Sequence, residues 1–154
     1  MKKEIKLTIE LVPATCFFSN VRSMVSKDDW DKLRKESYKK ARHRCEICGG
    51  KGDKWPVECH EVWSYHDDKK IQKLERLNAL CPPCHAVKHI GLASIRGEKE
   101  NAIKHMMTVN DISRPETIKL IDEAFLLWNE RSKYEWDVDL TFLRDAGVSF
   151  WLDR

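Results

Sequence analysis

The stretch LCPPCHAVKH, residues 80–89, places two cysteines and two histidines within ten residues. Thiolates and imidazoles are the protein groups that bind zinc and related metals best. Pro82 and Pro83 suit the first turn of a helix, so the stretch predicts a helix that includes Cys84, His85 and His89. Three interpretations are open at this point: one metal site, two metal sites, or a part of the hydrophobic core that happens to contain polar residues.

A second CxxC pair lies upstream, in CEICGGKG at residues 45–52. A gap of two residues lets both sulfurs of a tight turn reach one tetrahedral ion. The alternative is a redox CxxC, which needs only one pair and a thioredoxin-like βαβ context that this sequence lacks. The two pairs therefore predict a structural Zn²⁺ bound by Cys45, Cys48, Cys81 and Cys84, with Cys16 and Cys59 left single.

The histidines predict a second site. The two CxxC pairs are 32 residues apart, which is longer than the roughly 15 to 20 residues of a small zinc ribbon. The insertion holds His60 and Asn78. Residues four apart share a helix face, so His85 and His89 can present both imidazoles to a second ion. A single histidine is more simply a surface or core residue, and packing or hydrogen bonding alone is the alternative for His89.

The order CEIC, VECHEVW, LNALCPPCHAVKH resembles the zinc-knuckle branch of the HNH endonucleases, whose ββα-metal core is a hairpin followed by a helix. The match covers residues 44–91. By position, the resemblance implies that His60 is the strand metal ligand, Asn78 the orienting asparagine and His85 the helical metal ligand. His89 resembles the extra helical ligand of the nuclease-colicin version. Glu61 stands where the family has its general-base histidine.

The resemblance implies a metal-dependent DNA endonuclease or nickase that hydrolyses phosphodiester bonds. Its implied catalytic residues are Glu61, His60, Asn78 and His85. The catalytic divalent ion, Mg²⁺, Mn²⁺, Ni²⁺ or Zn²⁺, is implied to bind His60, His85 and His89. Free glutamate has a pKa of about 4.3, so we expect Glu61 to bind metal or steer water, with His66 as a less favoured base.

Two other functions stay open. One is a catalytically impaired HNH-like zinc module that binds nucleic acid or a protein partner. The other is a structural zinc protein whose C-terminal helices carry the interaction.

The charge distribution favours a nucleic-acid partner. The formal net charge is only +3, but residues 32–44 hold seven basic side chains and one acidic, whereas residues 116–154 hold nine acidic and five basic. This asymmetry predicts a DNA-facing basic helix. Its candidate phosphate ligands are Lys39, Lys40, Arg42 and Arg44, and a solvated charged face is the alternative. Trp55 and Trp63 are candidates for base stacking or for the core.

Periodicity predicts the elements around this core. Alternation of Ile5, Leu7, Ile9 and Leu11 with polar residues predicts an N-terminal strand that ends at Pro13. Ser26 predicts the start of a helix that runs to about His43. Residues 56–63 are β-like, residues 64–70 are predicted to be a polar loop, and residues 74–80 are predicted to be a second short strand.

Three C-terminal elements follow. Residues 98–109 fit a helix, and Ser113 with Glu116 forms a capping box for a long helix after it. The tail is predicted to be a short helix that ends at Gly147, followed by a strand or packed arm.

The fold class expected from these patterns is α+β: a ββα-metal core with a four-cysteine zinc site, surrounded by α-helices and an N-terminal strand. A chain of 154 residues with 42% hydrophobic residues is the size of one domain, here 1–154. Within it we assign the HNH-like core to 44–91, the basic helix to 26–43, C-terminal helices to 98–132 and a packed tail to 139–154. No apolar run approaches the roughly 18 to 20 residues of a membrane span, so we expect a cytoplasmic protein with DNA, and no membrane, as its partner.

Overall fold

The computed structural model describes residues 4–16 and 20–151 and shows a mixed α+β fold. Its strands are β1 (Glu58–His66), β2 (Ile71–Leu80) and β3 (Asp137–Asp139). Its helices are α1 (Val21–Met24), α2 (Lys27–Lys40), α3 (Pro82–Lys88), α4 (Ile90–Ile95), α5 (Lys99–Asn110), α6 (Arg114–Arg131) and α7 (Thr141–Asp145), with a 3₁₀ turn at Ala14–Cys16. Within the described residues, no helix is long and apolar enough to cross a membrane.

The central element is the antiparallel hairpin of β1 and β2. It is longer than predicted: β1 continues to His66 and β2 begins at Ile71, so only residues 67–70 form the connection and the predicted loop at 64–70 is wrong for its first three residues. Pairing of Tyr65 with Gln72, whose Nε2 donates to the Tyr65 hydroxyl at 3.2 Å, extends the ladder. The other end of β2 leads directly into Cys81 and α3.

The hairpin register determines which side chains share a face. His60 pairs with Asn78 and Glu61 pairs with Leu77, and a bulge falls between Val62 and Trp63. Directly opposed residues of an antiparallel pair have their side chains on the same face. Asn78 is therefore on the His60 face of the hairpin. The Glu61 side chain leaves β1 on the opposite face.

The predicted N-terminal strand is wrong. Residues 4–13 form no ladder with any strand among the described residues. Instead the Leu7 N–H donates to Asn110 Oδ1 at 2.8 Å, and the Leu7 carbonyl accepts from Asn110 Nδ2 at 2.9 Å. The alternation correctly places Leu7 inside the core, but one side chain at the end of α5 replaces the neighbouring strand as its hydrogen-bond partner.

The predicted helix starts are confirmed. The Ser26 side chain accepts from the Asp29 N–H at the start of α2, and the Ser113–Glu116 capping box begins α6. Helix α2 ends at Lys40, three residues earlier than predicted, because Arg42 and His43 have φ angles of +56° and +57° that turn the chain toward Cys45.

The tail differs from the prediction in its order. Strand β3 precedes α7 and pairs in parallel with β2. Gly147, with φ +73°, follows α7 as predicted. The residues after it form a packed arm, in which the Trp151 N–H donates to the Met24 carbonyl at 2.9 Å.

Two hydrophobic clusters flank the hairpin. The first joins the N-terminal segment, β2, α3, α5 and α6, and it contains Cys45, Cys81 and Cys84. The second packs α1, α2 and α7 against β2 through residues such as Val21, Leu33 and Leu143. Helix α3 is thereby fixed on one side by apolar packing, while its other side is free to carry polar groups.

Candidate metal centres and the adjoining cavities

The four cysteines of the two CxxC pairs converge, as predicted. Their sulfur atoms all lie within 4.8 Å of one another. Cys45 and Cys48 come from the turn after α2, while Cys81 is the N-cap residue of α3 and Cys84 lies in its first turn. Four thiolates at this spacing could hold one structural metal ion.

Backbone donors surround these sulfurs. The N–H groups of Ile47 and Cys48 point at Cys45 Sγ at 3.4 and 3.5 Å, and the Gly50 N–H points at Cys48 Sγ at 3.4 Å. Gly49, with φ +76°, gives the turn that aligns them. Such hydrogen bonds favour the thiolate form of Cys45.

His105 is a neighbour of this cluster that the sequence analysis missed. Its Nε2 lies 3.1 Å from Cys84 Sγ. His105 is on α5, twenty-one residues from Cys84, and no motif links the two. Only the packing of α5 against α3 brings them together.

The thiol pKa values show why the cluster fits a cation. A hydrogen bond from the Cys84 thiol, aided by backbone N–H donors, lowers the pKa of Cys45 to about 4. Burial and the nearby Cys45 thiolate raise the pKa of Cys81 to about 12. Four thiolates therefore coexist here only if a bound cation offsets their charge, which matches the chemistry of Zn²⁺.

The three predicted histidines also converge. The ring centroids of His60, His85 and His89 are 4.9 to 5.5 Å apart. One nitrogen of each ring lies within 4.8 Å of one nitrogen of each other ring, so the cluster could hold a metal ion. His60 comes from β1, His85 from α3, and His89 is the residue that ends α3.

Carboxylates orient two of these rings. His85 Nδ1 lies 3.0 Å from Glu58 Oε1, and His60 Nε2 lies 3.1 Å from Glu10 Oε2. These bonds leave His85 Nε2 and His60 Nδ1 for another partner. His60 Nδ1 is buried and has no hydrogen-bond partner among the described residues. A carboxylate on one ring nitrogen and an orphaned second nitrogen is the arrangement of a metal-binding histidine.

The N-terminal segment closes one side of the histidine cluster. The buried Lys88 Nζ lies 2.8 Å from Glu10 Oε2 and 2.9 Å from Thr8 Oγ1. Burial by itself raises the pKa of Glu10, but its hydrogen bond to His60 and the charge of Lys88 lower the pKa to about 2. Glu10 is therefore a carboxylate at neutral pH. The sequence analysis did not identify Glu10, since it belongs to the segment predicted as a strand.

Burial keeps the imidazoles of His60 and His89 neutral. It lowers the pKa of His60, and together with repulsion from His85 and His60 it lowers the pKa of His89 to about 4. A neutral imidazole has a free lone pair, so these rings need not lose a proton before they bind metal.

The side-chain oxygens of Glu61 and Asn78 form no hydrogen bond to the three histidines among the described residues. The Glu61 carboxylate accepts the Val21 N–H, at 3.1 and 3.2 Å to its two oxygens, and burial raises its pKa to about 7. Asn78 Oδ1 is buried without a partner in the described part of the chain. Glu61 nevertheless lines the same cavity, of about 720 Å³, as the three histidines.

A second cavity, of about 810 Å³, lies on the other side of His85. Its lining is mainly basic and aromatic, and it shares Arg22, Trp30, Cys59 and His85 with the first cavity. The predicted phosphate ligands line neither cavity and are exposed elsewhere on the surface: Lys39, Lys40, Arg42 and Arg44. Of the two tryptophans singled out, Trp55 lines the second cavity and Trp63 lines the first.

His66, the alternative base, is not near the histidine cluster. It is exposed at the far end of β1, six residues from His60, which corresponds to about 20 Å along a strand. The prediction that His66 could replace Glu61 is therefore wrong.

Comparison of the chain with models of protein families, with curated proteins and with solved structures found no match. Function is therefore inferred from the geometry of the two clusters and of the cavities beside them.

Proposed function

We propose that the protein is a metal-dependent DNA endonuclease or nickase built on an HNH-like ββα-metal core. The observation that carries the proposal is the convergence of three imidazoles at the edge of two cavities. Three protein ligands leave coordination positions for water or substrate, which is typical of a catalytic metal site. The succession of β1, β2 and α3, which supplies the three histidines, supports the HNH-like core.

His60, His85 and His89 are the residues that would hold the divalent ion. When bound, such an ion supplies positive charge that offsets the charge on the scissile phosphate and the departing oxygen. Glu10 and Glu58 fix the His60 and His85 rings through the hydrogen bonds described above. Their role is positioning, because neither bond involves the nitrogen left for the ion.

Glu61 is the proposed proton acceptor. Its carboxylate lines the same cavity as the histidines, and the Val21 N–H holds it in one orientation. A water in that cavity would give its proton to a Glu61 oxygen as it attacks phosphorus. Asn78 pairs with His60 across the hairpin, so its proposed role is to orient the His60 end of β1.

Cleavage of supercoiled plasmid tests the proposal. With Mg²⁺, Mn²⁺ or Ni²⁺ added, wild-type protein should produce nicked or linear DNA, and His85→Ala should produce neither. His43→Ala is the matched control, because His43 is exposed outside the cluster and its loss should leave cleavage unchanged. Absence of cleavage by wild type with all three ions would contradict the proposal.

A binding module without catalysis is the second candidate function. One observation favours it: the Glu61 carboxylate already accepts a backbone N–H and is largely enclosed, which leaves it less available to a water. This function predicts DNA or protein binding that persists in His85→Ala, with no cleavage by either protein.

A further inference from the structure

We propose that the second cavity binds an unpaired strand of nucleic acid, one base of which stacks on the exposed ring of Trp55 next to the histidine cluster. We call this cavity the strand cleft; its basic and aromatic lining residues are Arg22, Lys27, Trp30, Arg34, Tyr38 and Trp55. The inference rests on the proposed function, because it identifies the substrate form that the same site would take.

The charges of the strand cleft suit a phosphate backbone. Arg22 and Lys27 are exposed at its rim, and neither has a carboxylate within ion-pair distance among the described residues. Arg34 is held by Asp31, with its Nε and Nη2 each 3.0 Å from Asp31 Oδ1. Arg22 and Lys27, together with the guanidinium that Asp31 holds in place, form a path along which successive phosphates can bind.

The aromatic residues supply the other half of the site. Trp55 is 50% exposed, which is unusual for so large an apolar side chain. Its Nε1 donates to Glu58 Oε2 at 3.1 Å, and Glu58 Oε1 lies 3.0 Å from His85 Nδ1. One carboxylate therefore fixes both the exposed indole and a ligand of the candidate catalytic centre. A base stacked on Trp55 would lie beside that centre.

An unpaired strand fits this arrangement better than a duplex does. In a duplex the base faces are stacked inside, and exposing one to an indole costs a few kcal/mol per step. Aromatic rings interleaved with basic side chains are typical of proteins that bind single strands. The strand cleft is not lined by the exposed basic side chains of the last turn of α2 and the segment after it: Lys39, Lys40, Arg42 and Arg44.

Fluorescence anisotropy with a dye-labelled oligothymidine tests the inference, using the zinc-loaded full-length protein without added divalent ion. The wild type should bind the single strand more tightly than the matched duplex. Trp55→Ala should weaken single-strand binding by about tenfold, and Trp55→Phe should restore most of it. Arg22→Ala should reduce the magnitude of the slope of log affinity against log salt by about 0.7. The matched control Arg96→Ala, an exposed arginine outside both cavities, should leave the slope unchanged.

Equal or tighter binding of duplex, or wild-type affinity in Trp55→Ala with an unchanged circular dichroism spectrum, would overturn the strand cleft. The assay separates this inference from the proposed function, because it needs no cleavage. Single-strand preference without cleavage under any metal would retain the cleft and reject the nuclease. Plasmid cleavage together with unchanged single-strand binding by Trp55→Ala would retain the nuclease and reject the strand cleft.

Discussion

The cysteine cluster and the histidine cluster share helix α3 but have opposite surroundings. Three of the four cysteines are buried in the first hydrophobic cluster, and backbone N–H groups point at the sulfurs of Cys45 and Cys48. The histidine cluster has three donors and opens onto cavities of about 720 and 810 Å³. Four donors, three of them buried, suffice for a tetrahedral shell, whereas three donors beside a cavity leave room for a reacting group. The same helix thus contributes to a candidate structural site and to a candidate reactive site.

Because both clusters use α3, the histidine cluster depends on the cysteine cluster more than the cysteine cluster depends on the histidines. Cys81 and Cys84 anchor the first turn of α3, and His85 follows immediately. Loss of the cysteine site should displace the histidines, while loss of a histidine should leave the cysteine site intact.

The largest expected effect is therefore that of Cys81→Ser. Structural zinc binding contributes roughly 10 kcal/mol or more of apparent folding energy, so this variant should lose its zinc and most of its folded population. Urea denaturation and metal analysis measure both quantities. Cys16→Ser is the matched control, since Cys16 is buried but outside the cluster, and it should have a mild effect. A folded, metal-free wild type would contradict the structural site.

The next largest effect concerns Glu61. Glu61→Gln keeps the size of the side chain but removes the proton acceptor, so plasmid cleavage should fall by about 10²- to 10⁴-fold. DNA binding and binding of the divalent ion should persist, as gel shift and calorimetry would show. Cleavage by Glu61→Gln at the wild-type rate would show that Glu61 is not the proton acceptor.

A smaller effect is expected from substitution of Glu10, the carboxylate that orients His60. The experiment tests whether the histidines are oriented for metal binding or lie close together by chance. Glu10→Gln should weaken binding of Mn²⁺ or Ni²⁺ by about 10- to 100-fold, because His60 loses its carboxylate partner. The buried Lys88 also loses an ionic partner, at a cost of about 1 to 3 kcal/mol in unfolding free energy. Titration calorimetry and urea denaturation provide the measurements.

Glu4→Gln is the control for that experiment, because Glu4 is an exposed carboxylate on the same segment. It should bind the ion as wild type does. If Glu10→Gln also does, the N-terminal segment has no part in the site.

The two clusters were predictable because their signals are local. A CxxC turn and a pair of histidines four apart are spacings that tie residue type directly to geometry. The helix starts were predictable for the same reason: Ser26 and Ser113 cap their own backbones. The end of α2 was not, because positive φ at Arg42 and His43 has no signal in those residue types.

The parts that the sequence did not reveal depend on long-range packing. Glu10 reaches His60 across 50 residues, and His105 reaches Cys84 from another helix. The N-terminal segment has the alternation of a strand, but the side chain of Asn110 takes the place of a neighbouring strand. The basic residues of the strand cleft come from both α1 and α2. The charge count along residues 32–44 therefore could not predict that they line one cavity.

Metal counting by native mass spectrometry tests the division into a closed and an open site most directly. Wild-type protein with excess Ni²⁺ should carry one tightly bound zinc and one further ion. His85→Ala should keep its zinc and its fold and lose the further ion. If His85→Ala instead releases zinc or unfolds, or if wild type binds no second ion, the histidine cluster is not a separate, open metal site.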